Sequence, residues 1–311
     1  MVRAMIGIKE SNSINLTILI VIYNMQREAP RTIFSALPPY QKGVSIDNYE
    51  ILILENGSSK PLDVDYINNL PENVRYLPVP NPTSSPVNAL NWGAQQAKSS
   101  NLLFCIDGAR ILSDRLILRG LNQLERNPEA YVYTLGWHLG PDVQMRSVIN
   151  GYTRDVEDAL LTNANWRLEP DRLFEISVLA GSSANAPFRP ISESNAFFTS
   201  LSLFERIGGY DDRFQMPGGS LCNLEIFERY VTRDNALNIL LLSEGTFHQV
   251  HGGAATSKAY TWEEHHAEYQ RIFSRSYKKP VYDTMFADWP RESTFKIMCN
   301  TLQRLGSGLI D

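Results

Sequence analysis

The chain has 311 residues, 43% of them hydrophobic and 20% charged, with 29 Lys and Arg against 34 Asp and Glu for a net charge of −5. That length supports one large domain or two small ones, each able to bury its own core, and the composition excludes disorder and coiled coil. The acidic balance speaks against nucleic acid as a partner. Cys105, Cys222 and Cys299 are far apart and odd in number, which excludes a disulfide framework or zinc knuckle and predicts a reducing, cytoplasmic setting. No apolar run approaches the ~18 residues of a membrane span. The opening MVRAMIGIKESNSIN lacks the apolar core of a signal peptide and reads as an N-terminal lead-in over 1–15.

In chain order, Leu16 to Tyr23 is a continuous β-branched run, expected as a strand buried on both faces of a parallel sheet. Residues 29–37 predict a helix with Pro30 in its first turn. Tyr49 to Leu54 and Val74 to Val79 predict further strands, the first ending in the turn Glu55-Asn56-Gly57-Ser58. After the loop PNPTSSP comes a helix over 87–97, then a strand from Leu102 to Ile106 ending at Asp107-Gly108-Ala109-Arg110, then a helix over 113–126. Strands are expected at 131–136, 195–200 and 238–242, and helices at 203–207, 221–232 and 261–277. Alternating strands and helices predict an α/β fold with parallel strands and right-handed crossovers. Ligands in such folds sit beyond the carboxyl ends of the strands. Tyr23-Asn24, Glu55-Asn56-Gly57, Ser84-Ser85 and Asp107-Gly108 all fall there.

Asp107, at a strand end before Gly108, is placed either to reach a metal or ligand hydroxyl or to cap its own turn. His248 and His251 would share a face only on a helix; the following Gly pair favours an irregular loop, with metal or phosphate binding as the functional reading. His265-His266 on a charged helix read as solvated, and Trp92, Trp137 and Trp166 as core. Glu225 is either a surface carboxylate or a functional one. No G-x-G-x-x-G, P-loop or G-x-S-x-G pattern is present, against dinucleotide oxidoreductases, P-loop NTPases and α/β-hydrolases.

Taken together, LTILIVIYN, YEILILENGSS, SSPVNALNWGAQQAKSSNLLFCIDGAR, NAFFTSLSLFERIGGYDDRF, the Glu225 helix and HQVHGG resemble the family 2 glycosyltransferases over about residues 16–257. The resemblance implies a GT-A nucleotide-diphospho-sugar transferase fold with a mostly parallel central sheet. It divides the chain into a nucleotide-binding half (16–110), an acceptor and catalytic half (111–257) and a helical C-terminal extension (258–311). It implies transfer of a sugar from a UDP- or GDP-linked donor to a glycan, lipid or small-molecule hydroxyl, with inversion and with Mn2+ or Mg2+, and a homodimer is compatible with it. Carried over residue by residue, it places Tyr23, Glu55, Asn56, Gly57, Asn88, Asn91, Asp107 and Gly108 at the nucleotide, with Ser58 and Gly93 in the same motifs. It places Asp107, His251 and His248 at the metal, and Glu225 nearest the expected base. Two departures mark a divergent subgroup: Ala109 replaces the second Asp of the D-x-D motif, and Cys222-Asn223 replaces the usual Glu-Asp pair. These departures keep a rival open, a GT-A protein that binds nucleotide or sugar without turnover. A nucleotidyltransferase is the weaker rival, because YNMQREAP has no glycine.

Overall fold

The computed structural model describes residues 14–251 and 261–306; the lead-in assigned to 1–15 lies almost wholly outside them. The elements in order are β1 (Leu16–Ile22), α1 (Ala29–Ser35), β2 (Tyr49–Glu55), α2 (Val64–Asn68), β3 (Val74–Pro78), α3 (Val87–Gln95), β4 (Asn101–Cys105), β5 (Arg110–Leu112), α4 (Leu116–Arg126) and β6 (Ala130–Leu139). They continue with α5 (Gln144–Ile149), α6 (Arg154–Ala164), α7 (Arg172–Glu175), β7 (Ser177–Leu179), β8 (Ala196–Ser200), α8 (Leu201–Arg206), α9 (Cys222–Thr232), β9 (Leu237–His248), α10 (Trp262–Phe273), β10 (Met285–Phe286) and α11 (Glu292–Gly306).

The main sheet runs β10-β9-β6-β8-β4-β1-β2-β3, with β5 on β9 and β7 on β6. β1 lies parallel between β2 and β4, and every one of its residues is buried. That is why its sequence is a continuous apolar run rather than an alternating one. Successive side chains go to opposite layers: Leu19 and Val21 join one apolar cluster, Ile18, Ile20 and Ile22 the other. The first cluster is closed by α3, α8 and α9, the second by α1 and α4.

Three expectations change. The sheet is mixed, because β8 runs antiparallel between β4 and β6 and β5 antiparallel to β9. The last core strand does not stop at 242 but continues to His248, past a bulge where Leu135 pairs with Gly245. The C-terminal extension is not simply helical: β10 adds a parallel strand to β9. Its helix α10 starts with a Thr261/Glu264 capping box and ends at Phe273, four residues early, because Ser274 takes the left-handed conformation. Glu268 of α10 accepts the backbone N–H of Gln215 and Met216, so the extension buttresses the loop before α9.

Candidate active site

The residues that meet at the carboxyl ends of the strands are brought together by β5. After β4 the chain turns at Asp107-Gly108 and runs back against β9, with Arg110 opposite His248. Asp107 Oδ1 accepts Ala109 N–H at 2.9 Å, closing the turn. A Cβ on Gly108 would collide with Ile22 Cγ2, so only glycine lets the turn lie flat on the end of β1. Ala109 is fully buried and its carbonyl accepts Gln249 N–H at 2.8 Å. A side chain at 109 therefore points into the core.

His248 ends β9, and the chain then bends so that His251 returns to it. The two Nε2 atoms are 3.1 Å apart, and His248 Nε2 is 3.7 Å from Asp107 Oδ2. The three ligand atoms lie within 4.8 Å of one another. The expected irregular loop is thus a strand end plus a bend, which brings together two rings that strand spacing would set on opposite faces.

The electrostatics suit metal ligation. Burial pushes the Asp107 carboxyl up, but Arg110, whose Nε is 3.0 Å from Oδ2, and the two imidazoles hold it well below the usual carboxylate range. Burial, followed by Arg110, pushes His248 well below its usual value, and burial lowers His251 despite Asp107. Both rings are therefore neutral at neutral pH and offer lone pairs. One carboxylate and two imidazoles form a mixed oxygen and nitrogen donor set that could hold a divalent transition-metal cation and suits the all-oxygen preference of Mg2+ less well.

The histidine bend is held by a network that spacing cannot show. Glu157 of α6 accepts Val250 N–H at 2.9 Å; Arg27 donates to the Val250 carbonyl at 3.1 Å, and Arg154 to the His251 carbonyl at 2.8 Å. Arg27 also bonds Glu157 at 3.2 Å and Asp158 at 2.7 Å. Glu157 is fully buried. The loop that carries His251 is thereby tied to an element 93 residues away in sequence.

The nucleotide-side residues form a second group. Tyr23 is 55% exposed, an open aromatic face at the end of β1. Asn24 Oδ1 accepts Lys60 N–H at 2.9 Å and so ties that end to the β2 turn. Glu55 has both oxygens engaged, Oε1 by Ser58 and Oε2 by Tyr76 Oη at 2.8 Å; here it shapes the turn. Gly57 sits at φ +78°, with Pro82 where a side chain would go. Asn56 Nδ2 donates to the Thr83 carbonyl at 2.9 Å, while its buried Oδ1 has no partner among the described residues. Asn88 is half-buried on the first turn of α3. Asn91 spends both ends of its amide on the backbone of Tyr210, at 2.8 and 2.9 Å, and so links α3 to the GGYDD loop.

Glu225 stands apart. It is 4% exposed and held by Arg229 through two bonds of 2.6 Å. Burial pushes its carboxyl up, with Arg229 opposing. Arg213 pairs with Asp211 and lies over Phe273. Trp137 and Trp166 are core, as expected. His265 and His266 are half-buried rather than fully solvated: His265 Nδ1 meets Ser220 Oγ at 3.3 Å, and His266 packs on Trp262. The residue that sequence reading passed over is His138 on β6, whose ring centroid is 5.8 Å from that of His248. Its only signal in the sequence was a histidine just beyond a predicted strand.

The family model for glycosyl transferase family 2 matches residues 17–188, more than half of the chain. The chain belongs to that family. Its architecture is the GT-A fold, in keeping with its similarity to two solved structures of that fold. GalNAc-T7, solved with UDP, GalNAc and Mn2+, is 16% identical with a TM-score of 0.51, covering 77% of this chain and 44% of that one. S. aureus TarS 1-349, in complex with UDP-GlcNAc, is 12% identical with a TM-score of 0.51, covering 94% and 73%. The chain thus spans less than half of the first of these. No curated protein sequence matches it. Among the described residues, no helix is long and apolar enough to cross a membrane. The matched span ends before α9 and the histidine bend.

Proposed function

We propose that this enzyme transfers a sugar from a UDP- or GDP-linked donor to a hydroxyl acceptor, with inversion, assisted by Mn2+ in preference to Mg2+. The observation that carries the reading is the convergence of Asp107, His248 and His251 beside the loops that follow β1, β2 and β3. In the transfer, the bond from the anomeric carbon to the diphosphate oxygen breaks, the acceptor oxygen takes its place, and the acceptor proton goes to a base. A bound divalent cation would neutralise the charge growing on the diphosphate. Asp107 and the two imidazoles would hold it, Tyr23 would cover the base or ribose, and Asn56 Oδ1 would receive an N–H of the base.

Glu225 is the carboxylate proposed as base, since burial raises its pKa and so strengthens it as a proton acceptor. Acting as base requires one of its oxygens to leave Arg229. That engagement favours the second reading, a member that binds donor without turnover. Calorimetry with UDP and GDP, with and without Mn2+, tests the first: one of them binds, at least about tenfold tighter with Mn2+. If neither binds under any condition, the proposal fails. In a donor-hydrolysis assay, Glu225→Gln binds donor normally and loses turnover; if turnover survives, the base lies elsewhere. Wild-type binding with no turnover selects the binding module.

A further inference from the structure

We propose that His138 binds the diphosphate of the donor through its Nε2–H, as a substrate-contacting residue beside the metal group. The proposal rests on the donor reading above and extends it to a residue outside the motifs of the family resemblance. Parallel pairing of β6 with β9 sets His138 opposite His248 in register. Paired residues of neighbouring strands project from the same face, which accounts for the short distance between the two rings.

The backbone N–H of Gln144, at the start of α5, donates to His138 Nδ1 at 2.9 Å. Because Nδ1 accepts, a neutral ring must carry its proton on Nε2. The fold therefore chooses the tautomer and turns His138 into a fixed donor. No described residue accepts from Nε2. His138 is only half-buried and its Nε2 is not among the buried atoms without a partner, so this donor is open to a ligand that brings an acceptor.

The surroundings select the kind of acceptor. Arg110, with Nε on Asp107 and a buried Nη1 that has no partner among the described residues, lies on the strand paired with His248. A neutral N–H donor, a guanidinium and a cation site together suit anionic oxygens shared with the metal, which are those of a diphosphate. A sugar or acceptor hydroxyl would have no use for this excess of positive potential.

The test compares UDP and UMP (or GDP and GMP, whichever pair the wild type binds) in the presence of Mn2+, together with Mn2+ alone. His138→Phe keeps the ring and removes the donor; it should weaken UDP by about tenfold or more, the effect of one hydrogen bond to a charged group, and leave UMP and Mn2+ unchanged. His138→Gln, which restores an N–H, should recover part of the loss, and it stands in if the Phe variant does not fold. Unchanged UDP affinity overturns the proposal. So does equal weakening of UDP and UMP, or loss of Mn2+ itself, which would mean that His138 supports His248 rather than substrate. A wild type that binds no nucleoside diphosphate sinks the donor reading instead.

Discussion

Asp107→Asn is expected to abolish Mn2+-dependent nucleotide binding and to cut donor hydrolysis by more than about 100-fold, beyond the 10- to 100-fold typical of outer-shell partners. The substitution is nearly isosteric, and an Asn Oδ1 can still accept Ala109 N–H, so the turn should persist. It has a second effect that must be separated from the first. Arg110 is 6% exposed, and Asp107 is its ion-pair partner among the described residues. Removing one member of a buried pair leaves the other uncompensated, at about 3–5 kcal/mol. The single variant should therefore melt lower as well as lose metal. Combining Asp107→Asn with Arg110→Met in one chain removes the stranded charge along with the ligand. The double variant should regain stability and stay blind to Mn2+. If it regains Mn2+ binding too, Asp107 is only the counter-ion of Arg110 and the metal group is wrong.

Arg291→Ala should be strongly destabilising although it lies outside the site. Arg291, in the C-terminal extension, donates to Asp114 at 2.7 Å, to both oxygens of Glu244 at 3.1 Å and to the Ser243 carbonyl at 2.6 Å, and it pairs with Asp171. Its guanidinium lies over the Phe174 ring at 5.1 Å. Glu244 is fully buried and Asp114 nearly so. Arg119 remains on Glu244 and Lys42 on Asp114, so the cost should fall at the lower end for a broken buried pair, about 3 kcal/mol. For a chain of 311 residues that is roughly a 4–5 °C fall in Tm. Mn2+ affinity of the folded fraction should be unchanged, since Glu244 lies four residues before His248 on β9. A shift under about 2 °C would mean that the extension is a dispensable appendage. The expected result makes it part of the same cooperative unit.

Much of the fold was legible because burial writes itself into composition. β1 and β2 are continuous apolar runs since both faces are covered, and their ends marked the ligand edge. The start of α10 at Thr261 was legible too, though its capping box appears only in the structure. The direction of β8 was not legible, since an apolar run carries no sign of parallel or antiparallel pairing. The short β5 was missed because three residues give no period to detect.

The site divides along the same line. The sequence alone determined the candidates Asp107, His248 and His251, through residue type and a place at the end of a strand or beside a Gly pair. It also determined that the position of Ala109 cannot supply a ligand. Tertiary structure decided whether these residues meet. The pairing of β5 with β9 sets Arg110 against His248 across 138 positions of chain, and the α6 network holds the bend that returns His251. It also drew in His138 through strand register, and it set Glu225 against Arg229 through the helical i, i+4 spacing. The reason is physical: chemistry resides in side-chain type, which sequence states, whereas ligation and proton placement depend on ångström distances set by packing between distant segments.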